Sequence, residues 1–103
     1  MALSEKLERL LASGQDNALL RYGLGNEYLK VGRFEAAADQ LRRALAHDPT
    51  YSAAWKLLGQ ALAAAGRTGD AIQAYEIGIG AAEAKGDLHA AREMTVFLKR
   101  LRR

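Results

Sequence analysis

Apolar residues recur along this chain at spacings of three and four, and the recurrence is broken at regular intervals. Leu3, Leu7, Leu10 and Leu11 form one helical stripe. Leu20, Leu24, Tyr28 and Val31 form a second, and Phe34, Ala37, Leu41, Ala44 and Leu45 a third. Trp55, Leu58 and Leu62 follow, then Ala71, Tyr75, Gly78 and Ile79, then Leu88, Ala91, Met94, Leu98 and Leu101. That period belongs to amphipathic helices, since strands would alternate every second residue. Gly14, Gly32, Gly66 and Gly86 each close a stripe, where a helix ends most cheaply in a left-handed residue. Asp48-Pro49 supplies one more break. Thr68 and Asp87 stand where N-caps are needed. The pattern predicts an all-α fold of about six antiparallel helices with short turns and no strand.

Shifting the sequence by 34 residues lays 18–51 on 52–85. Leu24 then meets Leu58, Gly25 meets Gly59, Gly32 meets Gly66, Arg33 meets Arg67 and Ala37 meets Ala71. These are positions a helical hairpin needs most. Leu-Gly lets two helices approach closely, the turn glycine permits positive φ, and the alanine lets the second helix settle on the first. A repeat of this kind predicts stacked hairpins sharing one continuous core.

Composition agrees with helix. Alanine and leucine together supply 37 of the 103 residues, while Val, Ile and Thr supply 8, which disfavours sheet. The length suits a single domain. Absence of cysteine excludes disulfides, thiolate metal sites and cysteine nucleophiles. The net charge of +3 is unevenly spread: residues 92–103 hold five bases against Glu93 alone, whereas residues 1–91 carry ten bases and eleven acids. The basic character therefore belongs to the last helix and tail. No apolar run approaches the ~18 residues of a membrane span, and Glu5, Lys6, Glu8 and Arg9 interrupt any signal-peptide core. The expectation is a cytoplasmic protein without membrane contact.

The repeat resembles the tetratricopeptide repeat, whose pattern is W-x2-L-G-x2-Y, then A-x3-F, then P. Residues 52–85 read Trp55-x2-Leu58-Gly59-x2-Leu62, then Ala71-x3-Tyr75. Residues 18–51 read Arg21-x2-Leu24-Gly25-x2-Tyr28, then Ala37-x3-Leu41, then Pro49. Ala44 and Gly78 also fall where the family places small residues. Arg21 replaces the tryptophan, Leu62 the tyrosine, and Glu83 the closing proline, so the helix from Thr68 should run on to about Lys85. The resemblance implies a right-handed α-solenoid of antiparallel helix pairs: an N-terminal helix over 3–12, repeats over 18–51 and 52–85, and a capping helix over 87–101. Leu3, Leu7, Leu10 and Leu11 occupy the second-helix positions of a preceding half-repeat. Residues 87–101 do not match the first-helix pattern and are expected to cover the last hydrophobic face through Met94, Leu98 and Leu101. Trp55 is assigned to packing between paired helices.

Candidate chemistry is sparse. His47 and His89 have no second ligand at a useful helical spacing, and zinc needs three or four. Ser4, Ser13 and Ser52 stand near helix ends, where capping is their expected role. Gly78-Ile79-Gly80 lacks the strand and the third glycine of a phosphate loop. No enzyme, cofactor or metal is expected. In tetratricopeptide proteins the first helix of each pair lines a concave groove for peptides or partner helices. The resemblance places Leu19, Tyr22, Asn26, Leu29 and Lys30 there from one repeat, and Ala53, Lys56, Gln60, Ala63 and Ala64 from the next. Asn26 and Gln60 both donate and accept, Tyr22 offers a stiff apolar face, and Lys56 is a point charge for a carboxylate. The implied function is a protein–protein interaction scaffold favouring an acidic or C-terminal segment of a partner. A chaperone-type carboxylate clamp is not matched, since only Asn26 of its residues is present. Two alternatives stay open: nucleic-acid or acidic-partner binding through the basic tail, and self-association, with monomer and dimer both allowed. The second helices, with Asp39, Arg42, Arg43, Gln73 and Glu76, read as a solvent face.

Overall fold

The computed structural model describes residues 2–103 and contains six helices: α1 (Leu3–Ala12), α2 (Ala18–Lys30), α3 (Phe34–His47), α4 (Ser52–Ala64), α5 (Thr68–Ala84) and α6 (Leu88–Leu101). Each packs against its neighbour in sequence. Beyond that, α2 touches α4 and α4 touches α6, whereas α3 and α5 do not touch. The first helices α2, α4 and α6 therefore make the inner layer of a helical solenoid, and α3 and α5 the splayed outer one.

The buried side chains form two clusters, one from α2 to the first half of α5 and one between α5 and α6, with the half-buried Trp55 and Leu101 packed against both. Leu24, Leu41, Leu62 and Met94 are the largest fully buried apolar side chains. The helices close tightly because of glycine. A Cβ on Gly25 would stand 2.7 Å from the Leu41 side chain, and one on Gly59 would enter the Tyr75 ring. Burial there pushes the Tyr75 hydroxyl up to about 12. Gly32 and Gly66 end α2 and α4 with φ of 82° and 79°, which costs a glycine little. Gly78 faces Trp55 and Met94 at distances a Cβ could not share. Gly80 has open space around it, and nothing in the structure explains it.

Several expectations are corrected in detail. Thr68 is the first residue of α5 and not its cap; Arg67 holds the cap position without a side-chain bond. Asn17 and Asp87 do cap, accepting from the Leu20 and Ala90 amides. Ser52 is buried with its hydroxyl unpaired among the described residues, because Tyr51 takes the cap position. Ser13 donates to the Leu10 carbonyl at the end of α1.

Trp55 is half-buried rather than buried, because α3 and α5 do not meet over it. Where the other repeat has Arg21, the packing is polar. Its guanidinium holds Asp16 at 2.8 and 2.9 Å and the Gln40 side chain at 2.8 Å, while His47 reaches Asp16 at 3.0 Å. The Arg21 hydrogen bonds, with His47 behind them, hold the Asp16 carboxyl well below the usual carboxylate range.

The last helix covers the end of the core with Met94 and Leu98 buried and Leu101 half-buried, and it does so from the place of a first helix. It packs on α4 and α5 as α4 packs on α2 and α3. α4 begins at Ser52 and α6 at Leu88, a step of 36 residues rather than 34. At that step Met94 and Leu98 fall on Leu58 and Leu62, and all four are buried. The geometry is that of a first helix, displaced by two residues, because α5 has 17 residues against 14 in α3 while the turn after it is one residue shorter. Thr95 stands where Gly25 and Gly59 stand in α2 and α4. It hydrogen-bonds the Ala91 carbonyl at 2.8 Å.

Candidate functional site

Two surfaces are built on the inner helices. Of the positions expected to line a groove, α2 carries Leu19, Tyr22, Asn26, Leu29 and Lys30, and α4 carries Ala53, Lys56, Gln60, Ala63 and Ala64, each at three- and four-residue spacing. Leu19 is 71% exposed. Lys30 and Ala64 are exposed, and the other seven are half-buried. Tyr22 stacks on Tyr51 with ring centroids 4.9 Å apart, which fixes an aromatic platform between the two repeats. Burial raises the Tyr51 hydroxyl above its ordinary value. The side-chain hydrogen bonds of α2 and α4 run through Arg21, Tyr28, Lys30, Trp55 and Lys56. Among the described residues, the Asn26 and Gln60 amides are left open.

Lys56 is not a free charge. Its ammonium lies 3.4 Å from Glu93 of α6, whose carboxylate also meets His89 at 3.2 Å. Lys30 pairs with Glu27 at 3.0 Å while staying largely in solvent. Glu93 and His89 of α6 thus join Lys56 of α4 in one charged cluster, and sequence reasoning missed them. The signal was present as the 36-residue register, but Thr95 in place of the glycine hid it.

The convex side holds a cleft of about 440 Å³ between α3 and α5. Its floor is Trp55, Leu58 and Leu62 of α4, and Leu45 and Ile77 stand on its walls. The Trp55 indole donates to the Pro49 carbonyl at 2.8 Å, which anchors the ring to the turn before α4. The outer face is therefore not the uniform solvent face its sequence suggests.

In the basic tail, Arg102 pairs with Glu76 and Arg100 lies 5.9 Å from the Phe97 ring centroid. Among the described residues no group of His, Asp and Glu is placed to hold a metal ion, and no helix is long and apolar enough to cross a membrane.

Stacked helical hairpins whose first helices pack on one another define a helical repeat protein. The chain belongs to the tetratricopeptide repeat family, whose model matches residues 22–86. A TPR repeat-containing protein of Pseudomonas aeruginosa is 54% identical over 99 residues, spanning 96% of this chain and 94% of that one. A protein of Bordetella parapertussis, solved in solution, superposes with a TM-score of 0.86 at 48% identity, over 98% of this chain and 88% of that one. The crystal structure of a tetratricopeptide repeat domain protein from Salinibacter ruber gives 0.75 at 27% identity, over 82% of this chain and 96% of that one. Proteins of this family are typically non-enzymatic scaffolds for protein–protein interaction.

Proposed function

We propose that this protein is an interaction scaffold that receives a peptide or helix of a partner protein along its concave groove. The observation that carries the reading is the pair of open amides, Asn26 and Gln60, at matching positions of consecutive inner helices. Asn26 stands one helical turn after Tyr22, whose ring stacks on Tyr51, and Ala53 and Ala63 are small neighbours of Gln60 along α4. Open amides can hold a peptide backbone in either direction, and a stacked aromatic offers rigid apolar contact at low entropic cost. An acidic or C-terminal segment is favoured. Glu93 supports this: it already sets a carboxylate against Lys56, at a distance and exposure that let a partner carboxylate take its place.

The test is site-specific photo-crosslinking in cells, with the photoreactive residue at Gln60 or at Arg43 on the outer face. Crosslinks to one protein from Gln60, and none from Arg43, are expected. Calorimetry against that protein then compares Lys56→Glu with Arg43→Glu. Capture from Arg43 alone, or loss of binding in Arg43→Glu but not in Lys56→Glu, overturns the groove reading.

A further inference from the structure

Among the described residues, the two outermost helices are complementary halves of one hairpin. α1 stands in the place of a second helix. A shift of 34 residues lays Leu3, Leu7, Leu10 and Leu11 on Ala37, Leu41, Ala44 and Leu45 of α3. Those four residues of α3 are buried, three of them completely, because α3 packs between α2 and α4. α1 packs on α2 alone, so Leu3 is 51% exposed and Leu10 38%. The side left open is the one that α3 turns to its own first helix, where Leu41 meets Gly25. At the other end, α6 stands in the place of a first helix and packs on α4 and α5 only. Its free side carries a depression of about 370 Å³, lined by Glu83, Leu88, Ala91, Arg92, Thr95 and Val96. Thr95 holds the position of Gly25 and Gly59, against which Leu41 and Tyr75 of the second helices pack. The depression is therefore the seat of a second helix.

We infer that α1 of a second copy of this chain docks in the seat on α6, so that copies join head to tail through a hairpin shared between them. The charges agree where the two surfaces meet. Lys6 falls on Gln40 of α3, whose side chain reaches Arg21 of α2 at 2.8 Å. Arg21 corresponds to Trp55 at the 34-residue step, and Trp55 to Ala91 at the 36-residue step. Ala91 and Glu83 line the same depression, which brings Lys6 of the second copy to Glu83. Glu83 is exposed and stands outside the ion pairs of α5, which use Asp70 and Glu76. The remaining charges of α1 stay clear of the contact: Glu5, Glu8 and Arg9 fall on Asp39, Arg42 and Arg43, all exposed in α3. Arg92, the base in the seat, falls on Lys56, which turns to the neighbouring inner helix and not to α5.

Two consequences follow from the surfaces involved. They are different surfaces, so a pair of copies still leaves one α1 and one α6 open, and the assembly grows past the dimer. The contact is also weak. It rests on one helix of 10 residues, a small interface. A Cβ at Gly25 would already stand 2.7 Å from Leu41, so Thr95 at the same position holds the incoming Leu7 further out than a second helix lies within a repeat. Association is therefore reversible and concentration-dependent.

The test is sedimentation equilibrium of the full chain from roughly 10 μM to 1 mM, the span of weak affinities. The average mass should climb above 11.2 kDa with concentration and pass that of a dimer. Leu10→Glu charges the open side of α1 opposite Glu83, and Thr95→Arg fills the seat. Neither residue is fully buried, and a circular dichroism melt confirms that each variant is folded. Each variant alone should stay monomeric over the whole range. Mixed in equal amounts they should form a dimer and nothing larger, since Leu10→Glu keeps an intact seat and Thr95→Arg an intact α1. Lys6→Glu should weaken association about tenfold, and adding Glu83→Lys in the same chain should restore it. A parent chain that stays monomeric overturns the inference. So does a single variant that still associates, because the copies then meet through like ends, and so does a mixture that stays monomeric.

Discussion

Helix α4 serves both faces of this molecule, and one residue separates them in sequence. Trp55 lines the cleft beside α3 and α5, and Lys56 reaches Glu93 of α6. On the inner side α2, α4 and α6 touch, so the surface between them is shallow, its relief set by alanines and amides. On the outer side α3 and α5 stay apart, so the surface is a trough floored by the very leucines that make the core. The polarity of the outer residues says little about this. Arg42, Asp70 and Gln73 sit at the rim, and the apolar depth lies behind them. Whether a repeat surface is a flat recognition face or a pocket is decided by helix spacing, which no side chain on that surface encodes.

The difference can be broken from the largest effect downward. Leu62 lies under both surfaces and is 1% exposed. Leu62→Ala should cost about 2–5 kcal/mol in urea unfolding and damage groove and cleft together. Trp55→Ala should cost less, about 1–3 kcal/mol, because part of the ring already faces the cleft. Its native emission should lie between the buried and the water-exposed extremes; emission at the exposed limit would show that the cleft walls do not hold the ring. Lys56→Glu should weaken groove binding more than tenfold, about 1.4 kcal/mol, while Arg43→Glu leaves it within error by calorimetry. Glu93→Gln sharpens the comparison from the opposite direction. It frees Lys56 and should raise affinity for an acidic segment a few-fold, as read by calorimetry.

The smallest expected effect concerns acid. Asp16 has its carboxyl depressed by the Arg21 hydrogen bonds, so its contribution to stability is complete above its ordinary value of 3.8. That contribution is lost as pH falls below about 4 toward the depressed value. Melting temperatures between pH 7 and pH 2 should fall less steeply at the acid end in Asp16→Asn than in the parent chain. Equal slopes would show that the cluster joining α2 to α3 is electrostatically idle.

Much of the fold was legible because it rests on local rules. The three- and four-residue stripes mark six helices, the turn glycines adopt positive φ, and Leu-Gly at 24–25 and 58–59 places the close approaches. Asp87 capped as its residue type predicts; Thr68 did not, since the turn geometry before α5 puts Arg67 in the cap position. Arg21 could be seen to break the tryptophan pattern, but its partners Asp16 and Gln40 lie 5 and 19 residues away, and only the fold brings them to it.

The sequence by itself determined the helix count and the hairpin repeat, because each follows from periodicity and backbone preference over a few residues. Tertiary structure alone decided three things. It set α6 in the position of a first helix, since a longer α5 moves the register by two and Thr95 hides the match. It joined Lys56 to Glu93 across 37 residues of chain, turning an apparently free cation into a paired one. And it held α3 away from α5, leaving Trp55 half open, because the distance between two outer helices depends on how every inner side chain packs beneath them and on no local stretch of residues.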